Sequence, residues 1–162
     1  MNWSEFYDMQ KQLDSHIMKS QNLQGKNVVD DKILALLVEA GELANETRCF
    51  KFWSTKPSSP KEVILEEYVD GLHFILSLGL DLGFYYEKET EETENLKSAA
   101  AAFLEVYTSI EEFKQAKSEG SYVNLFQSYL KLGLSLGLKE EDLMRGYIQK
   151  NEVNFQRQEE GY

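Results

Sequence analysis

In 162 residues the chain carries 28 acidic side chains against 17 lysines and arginines, a formal net charge of −11. That balance excludes attachment to nucleic acid through a broad basic surface, and no run of about 18 apolar residues is present to span a membrane. The length suits one domain with its own hydrophobic core, and the single Cys49 excludes an internal disulfide. Without a charged-then-apolar leader at its start, the chain reads as a soluble cytoplasmic protein.

Residues 2–20 place Trp3, Phe6, Tyr7, Met9, Leu13, Ile17 and Met18 at spacings of three and four, which predicts an amphipathic helix. Gln10 and Asp14 share one of its faces, and composition alone leaves both in solvent. After the polar link QNLQGKN, Asp30 or Asp31 is the expected cap of a second helix, from about residue 31 to 48. This helix is apolar on several sides, and Glu39 and Glu42 interrupt it, with Glu46 nearly on the same face one turn later. Gly41 in a helix interior costs about 1 kcal/mol, which points to a closely approaching neighbouring backbone.

The next segment, RCFKFWSTKPSSPKE, holds both prolines and the cluster Phe50, Lys51, Phe52 and Trp53. Such aromatics at a helix end either close the core or stand at the mouth of an acidic site, where Lys51 could reach a phosphate. A third helix, about 60 to 83, carries Glu66, Glu67, Asp70 and His73 in an apolar pattern. Glu67 matches the spacing of the first acidic pair, and Glu66, four before Asp70, competes with it. The run YEKETEETENLK reads as an exposed connection or helix start. Two broadly apolar helices follow, about 95 to 117 and 121 to 137, suited to a bundle core or a subunit interface. A last helix begins at Glu140 or Glu141 and bears a polar stripe of Lys150, Asn151, Asn154, Arg157 and Gln158.

The expected fold is therefore all-α, a single-domain bundle of about five to six helices, since no strand-like alternation occurs. Residues three apart on a helix share a face, so Glu39-x-x-Glu42 and Glu67-x-x-Asp70 each point two carboxylates one way. Four converging anions repel one another and lose hydration, and a hard divalent cation such as Mg²⁺ resolves the conflict. Ions so held can screen a polyphosphate and activate a water, with Lys150 and Arg157 supplying further positive charge. A di-iron carboxylate bundle needs a second acid-x-x-His pair, and the three-residue spacing before His16 falls on Leu13.

These segments resemble the dimeric, all-α dUTPases within the wider group of MazG-like nucleotide pyrophosphohydrolases. The likeness rests on the two acidic pairs, on MQKQLD, KFW and DGLHFILSL, and on the C-terminal YIQKNEVNFQRQEEGY. The resemblance implies dUTP diphosphatase activity, dUDP as a second substrate, Mg²⁺ with Mn²⁺ as a substitute, and a homodimer. It further implies that Glu39, Glu42, Glu67 and Asp70 bind metal and that Glu39 also orients or deprotonates the attacking water. Lys150, Asn154 and Arg157 would hold phosphates, with Asn151 and Lys51 nearby. Gln10, Phe52, Trp53 and His73 would line the nucleoside pocket; Asp14 stands where the family often has Asn. Two other readings stay open: a pyrophosphohydrolase of broader base specificity, and a helical interaction protein with a structural metal site.

Overall fold

The computed structural model describes residues 1–89 and 95–162. These form six helices: α1 (Trp3–Ser20), α2 (Val29–Thr47), α3 (Lys61–Leu82), α4 (Ala99–Ala116), α5 (Glu119–Ser135) and α6 (Glu140–Glu159). No strand occurs among the described residues, and one hydrophobic cluster draws side chains from all six helices. The acidic run between α3 and α4 falls partly outside the described residues.

Three helix starts differ from the sequence expectation, among them that of α5, which begins at Glu119 and not near residue 121 because the Ser118 hydroxyl accepts from the Ser121 N–H. The second helix begins before the aspartates, at Val29, whose N–H is taken by the Asn27 side chain at 3.1 Å, so Asp30 and Asp31 lie in the first turn. There their charges face the positive end of the helix dipole. The fourth helix begins at Ala99 rather than near residue 95, because the Ser98 hydroxyl accepts from the Ala101 N–H and fixes the entry there.

Helix α3 is the axis of the bundle and touches α1, α2, α5 and α6. It has almost no solvent face from Tyr68 to Gly79, which explains why its sequence is apolar nearly all round. Helix α5 crosses it through a reciprocal pair of tyrosines. The Tyr68 hydroxyl donates to the Tyr129 carbonyl at 2.8 Å, the Tyr129 hydroxyl donates to the Tyr68 carbonyl at 2.6 Å, and the rings stack at 4.5 Å. Each ring occupies space that a side chain on the facing helix would need: Tyr129 lies over Gly71 and Tyr68 over Gly133. Gly41 likewise faces a neighbour, but a side chain and not a backbone. A Cβ there would stand 3.3 Å from the hydroxyl of Tyr107, which donates to the Leu37 carbonyl at 3.1 Å and ties α4 to α2.

Gly71→Ala tests this crossing. Alanine gains about 1 kcal/mol of helix propensity, but its methyl group would collide with the Tyr129 ring and break a buried hydrogen bond, at about 2–4 kcal/mol. A net loss of about 1–3 kcal/mol, seen as a lower urea midpoint at unchanged slope, is expected; an unchanged midpoint would contradict the close approach.

Candidate active site

The first acidic pair sits on α2 and the second on α3, two helices packed side by side. Glu39, Glu67 and Asp70 bring carboxylate oxygens within 4.8 Å of one another. Glu42 is exposed and stands outside this trio, although its carboxyl hydrogen-bonds to Glu39. Glu66 turns away to Lys150, whose Nζ lies 3.1 Å from Glu66 Oε1 and 3.0 Å from Asp70 Oδ1. A cation from α6 thus engages Glu66, while Glu67 lies with Glu39 and Asp70 in the trio. Glu46 takes a further role, accepting from the Ser59 hydroxyl and tying the end of α2 to the link before α3.

Burial and mutual repulsion leave these acids reluctant to ionise. Burial, followed by the charges of Asp70, Glu42 and Glu67, pushes Glu39 up from 4.5 to about 7. Glu67 and Asp70 are raised chiefly by burial, and Lys150 pulls both back. The Oε2 of Glu39 is buried without a hydrogen-bond partner. Such an atom, in a converging set of hard oxygen donors, fits a divalent cation such as Mg²⁺.

A cleft of about 370 Å³ opens beside the trio. Glu39, Asp70, Lys150, Asn154 and Arg157 line it together with Gln10, Asp14 and His73, while Leu13, Ile17 and Phe74 give it apolar walls. Gln10 is not in solvent: it is only 3% exposed, and Asp14 is half-buried. Gln10 Nε2 donates to Asp14 Oδ1 at 2.8 Å, and the Ser77 hydroxyl donates to Asp14 Oδ2 at 2.7 Å. Gln10 Oε1 receives the Tyr147 hydroxyl at 2.6 Å and lies 2.6 Å from His73 Nδ1. Burial, then the nearby Lys150 charge, lowers the His73 pKa to about 3, so its ring is neutral.

Four polar residues were assigned no role from sequence: Lys32, Ser77 and Tyr162, which line the cleft, and Tyr147, which stands behind Gln10. Helical spacing could have flagged three of them, since Lys32 precedes Glu39 by seven, Ser77 follows His73 by four and Tyr147 precedes Lys150 by three. Tyr162 comes from beyond α6: Gly161, at φ +79°, turns the chain so that Arg157 lies 5.2 Å over the Tyr162 ring. The aromatic segment behaves otherwise. Phe52 is 92% exposed, Trp53 is exposed too, and neither they nor Lys51, whose Nζ sits 5.8 Å over the Phe50 ring, line the cleft. They do not close the core of this chain. Asn151 also lies outside the cleft walls, with its amide oxygen buried and unpartnered.

The raised pKa of Glu39 carries a sign. A carboxylic acid whose pKa the fold raises stabilises the fold fully below its ordinary 4.5 and loses that contribution as pH climbs through about 7. In urea unfolding with chelator present, stability is expected to fall less steeply over this window in Glu39→Gln than in the unaltered protein. Identical pH profiles would contradict the repulsion.

No curated protein matches the chain. A family model described as dUTPase matches residues 2–162, a span that takes in every residue of the cleft and of the acid trio, and the chain therefore belongs to the dUTPase family, as a hydrolase that cleaves dUTP.

Proposed function

We propose that this dUTPase depends on Mg²⁺, with Mn²⁺ as a substitute, and converts dUTP and water to dUMP and pyrophosphate, with dUDP as a second substrate. The observation that carries the reading is the meeting of three carboxylates with a cleft that holds Lys32, Lys150, Arg157 and a buried polar network. Glu39, Glu67 and Asp70 would hold the metal, with Glu42 completing the set from its hydrogen bond to Glu39. When bound, Mg²⁺ supplies charge neutralisation to the polyphosphate and activates water for attack.

The chain's own residues do the rest by positioning and charge. Glu39, whose Oε2 is buried without a hydrogen-bond partner at the edge of the cleft, orients the attacking water and receives its proton. Lys150, Asn154 and Arg157 take the phosphate oxygens and the charge of the departing pyrophosphate. Gln10, Asp14 and His73 face the base, because they supply the uncharged and accepting hydrogen-bonding groups of the cleft, which suit the carbonyl and N–H edge of a base better than a phosphate. Asn151 and Lys51 are kept for contacts with the phosphates, and Phe52 and Trp53 for the base, once substrate is present.

Release of pyrophosphate, measured with Mg²⁺ over dUTP, dTTP, dCTP and UTP, is expected to favour dUTP. Asp70→Asn should lower kcat by several orders of magnitude while leaving the fold intact, since it removes charge from a repelling set. Comparable kcat/KM for dUTP and dCTP would move the enzyme to the broader pyrophosphohydrolase class, and full activity in Asp70→Asn would remove the trio from the chemistry.

A homodimer in the cytoplasm completes the proposal. Leu34 and Val38 on α2 and Leu104 on α4, 70% exposed, are large apolar side chains left in solvent on two helices that pack together, and Phe52 and Trp53 add to them. Helix α5, by contrast, is spent on the core. Light scattering at micromolar concentration should give about twice 18.8 kDa, and Leu104→Glu should shift the mass toward that of one chain; a monomer mass for the unaltered protein would count against it.

A further inference from the structure

We infer that Tyr147 is a positioning residue for base selection: Asp14 sets the direction of hydrogen bonding through Gln10, and Tyr147 holds that amide and the stacked His73 ring in place, so that His73 carries its proton on Nδ1 and offers Nε2 as a lone-pair acceptor to the base. This rests on the reading of the cleft as the site of a uracil nucleotide.

The polarity of the network is set at Asp14. Both of its oxygens accept, Oδ1 from Gln10 at 2.8 Å and Oδ2 from the Ser77 hydroxyl at 2.7 Å, as a carboxylate does. An acceptor there turns the Gln10 amide nitrogen toward it; the reversed amide would set two oxygens against each other. Gln10 Oε1 then faces Tyr147 and His73, and an amide oxygen cannot donate. Both partners must therefore bring hydrogens: the Tyr147 hydroxyl and a proton on His73 Nδ1. A neutral imidazole protonated on Nδ1 has a bare lone pair on Nε2. That nitrogen is buried in a residue only 5% exposed, has no hydrogen-bond partner, and belongs to a side chain on the cleft wall. Tyr147 also stacks on the imidazole, with centroids 4.2 Å apart and planes 18° from parallel, so the ring is held in orientation as well as in tautomer.

The ligand chemistry follows from this polarity. A lone pair at Nε2 is satisfied by an N–H donor, which uracil has at N3, whereas cytosine has a lone pair at N3. Two facing lone pairs leave a buried acceptor unpaired in the wrong complex, and discrimination of this type is steep.

The chain has two histidines, so ¹⁵N spectra of the histidine-labelled protein, with His16→Gln to assign the signals, read the tautomer directly. His73 is expected to show a protonated Nδ1 and a bare Nε2 at neutral pH. In Tyr147→Phe, which keeps the stacked ring and loses only the hydroxyl, the ratio of kcat/KM for dUTP to that for dCTP is expected to fall about tenfold. A purely structural role would instead lower the melting temperature and slow both substrates alike. A proton on His73 Nε2 in the unaltered protein, or an unchanged ratio in Tyr147→Phe, would overturn the inference. Failure of the unaltered protein to cleave dUTP would refute the functional reading itself, and the nitrogen spectrum would still decide the tautomer.

Discussion

Carboxylate crowding is the constraint around which this molecule is built. Glu39, Glu67 and Asp70 hold oxygens within 4.8 Å of one another beside the most deeply buried helix of the bundle. In water such acids would separate; here α2 and α3 pack along their lengths and keep them together. The cost appears in their raised pKa values and in an unpartnered buried oxygen on Glu39. Lys150, 8% exposed and in contact with Asp70 and Glu66, relieves part of it. The remainder is free energy available to a cation that enters, which is how a functional site comes to be less stable than an apolar core of the same volume.

Holding repelling groups in place requires a frame that does not yield. The tyrosine exchange between α3 and α5 supplies part of it, since each hydroxyl satisfies a carbonyl on the other helix and each ring fills the space above a glycine. Farther along, the Tyr122 hydroxyl donates to the Ile75 carbonyl and meets the Tyr7 hydroxyl at 2.9 Å, which links α1 to the same axis. Helix α1 is then fixed tightly enough for Gln10 and Asp14 to form one side of the cleft while α3 contributes His73 and Ser77. Buried polar groups on three helices, α1, α3 and α6, satisfy one another there and leave His73 Nε2 without a partner.

Much of this was legible in the sequence, because periodicity reports faces. Acids at i and i+3 inside apolar helices indicate a shared direction, which Glu67 and Asp70 keep and from which the exposed Glu42 departs. What remained open turned on contacts between distant segments. Spacing favours Glu67 over Glu66 only narrowly, and the contact of Glu66 with Lys150, more than eighty residues later, is invisible to any local pattern. Gln10 looked like a surface residue because nothing local announces that Tyr147 and His73 will enclose it. At Gly41 the neighbour is a hydroxyl from α4 and not the backbone that a glycine inside a helix suggests. The exposed Phe52 and Trp53 could not be assigned a wall from helical pattern, since they lie on a connection whose direction no periodicity fixes.

The central claim is that the acid trio holds a divalent ion against the phosphates of dUTP. Titration of Mn²⁺ followed by its electron paramagnetic resonance signal, in the presence of a non-hydrolysable α,β-imido analogue of dUTP, tests it without relying on turnover. The account predicts that the unaltered protein removes free Mn²⁺ from the signal and that Glu67→Gln combined with Asp70→Asn does so far more weakly, at equal fold stability. Equal Mn²⁺ uptake by the two proteins would contradict it.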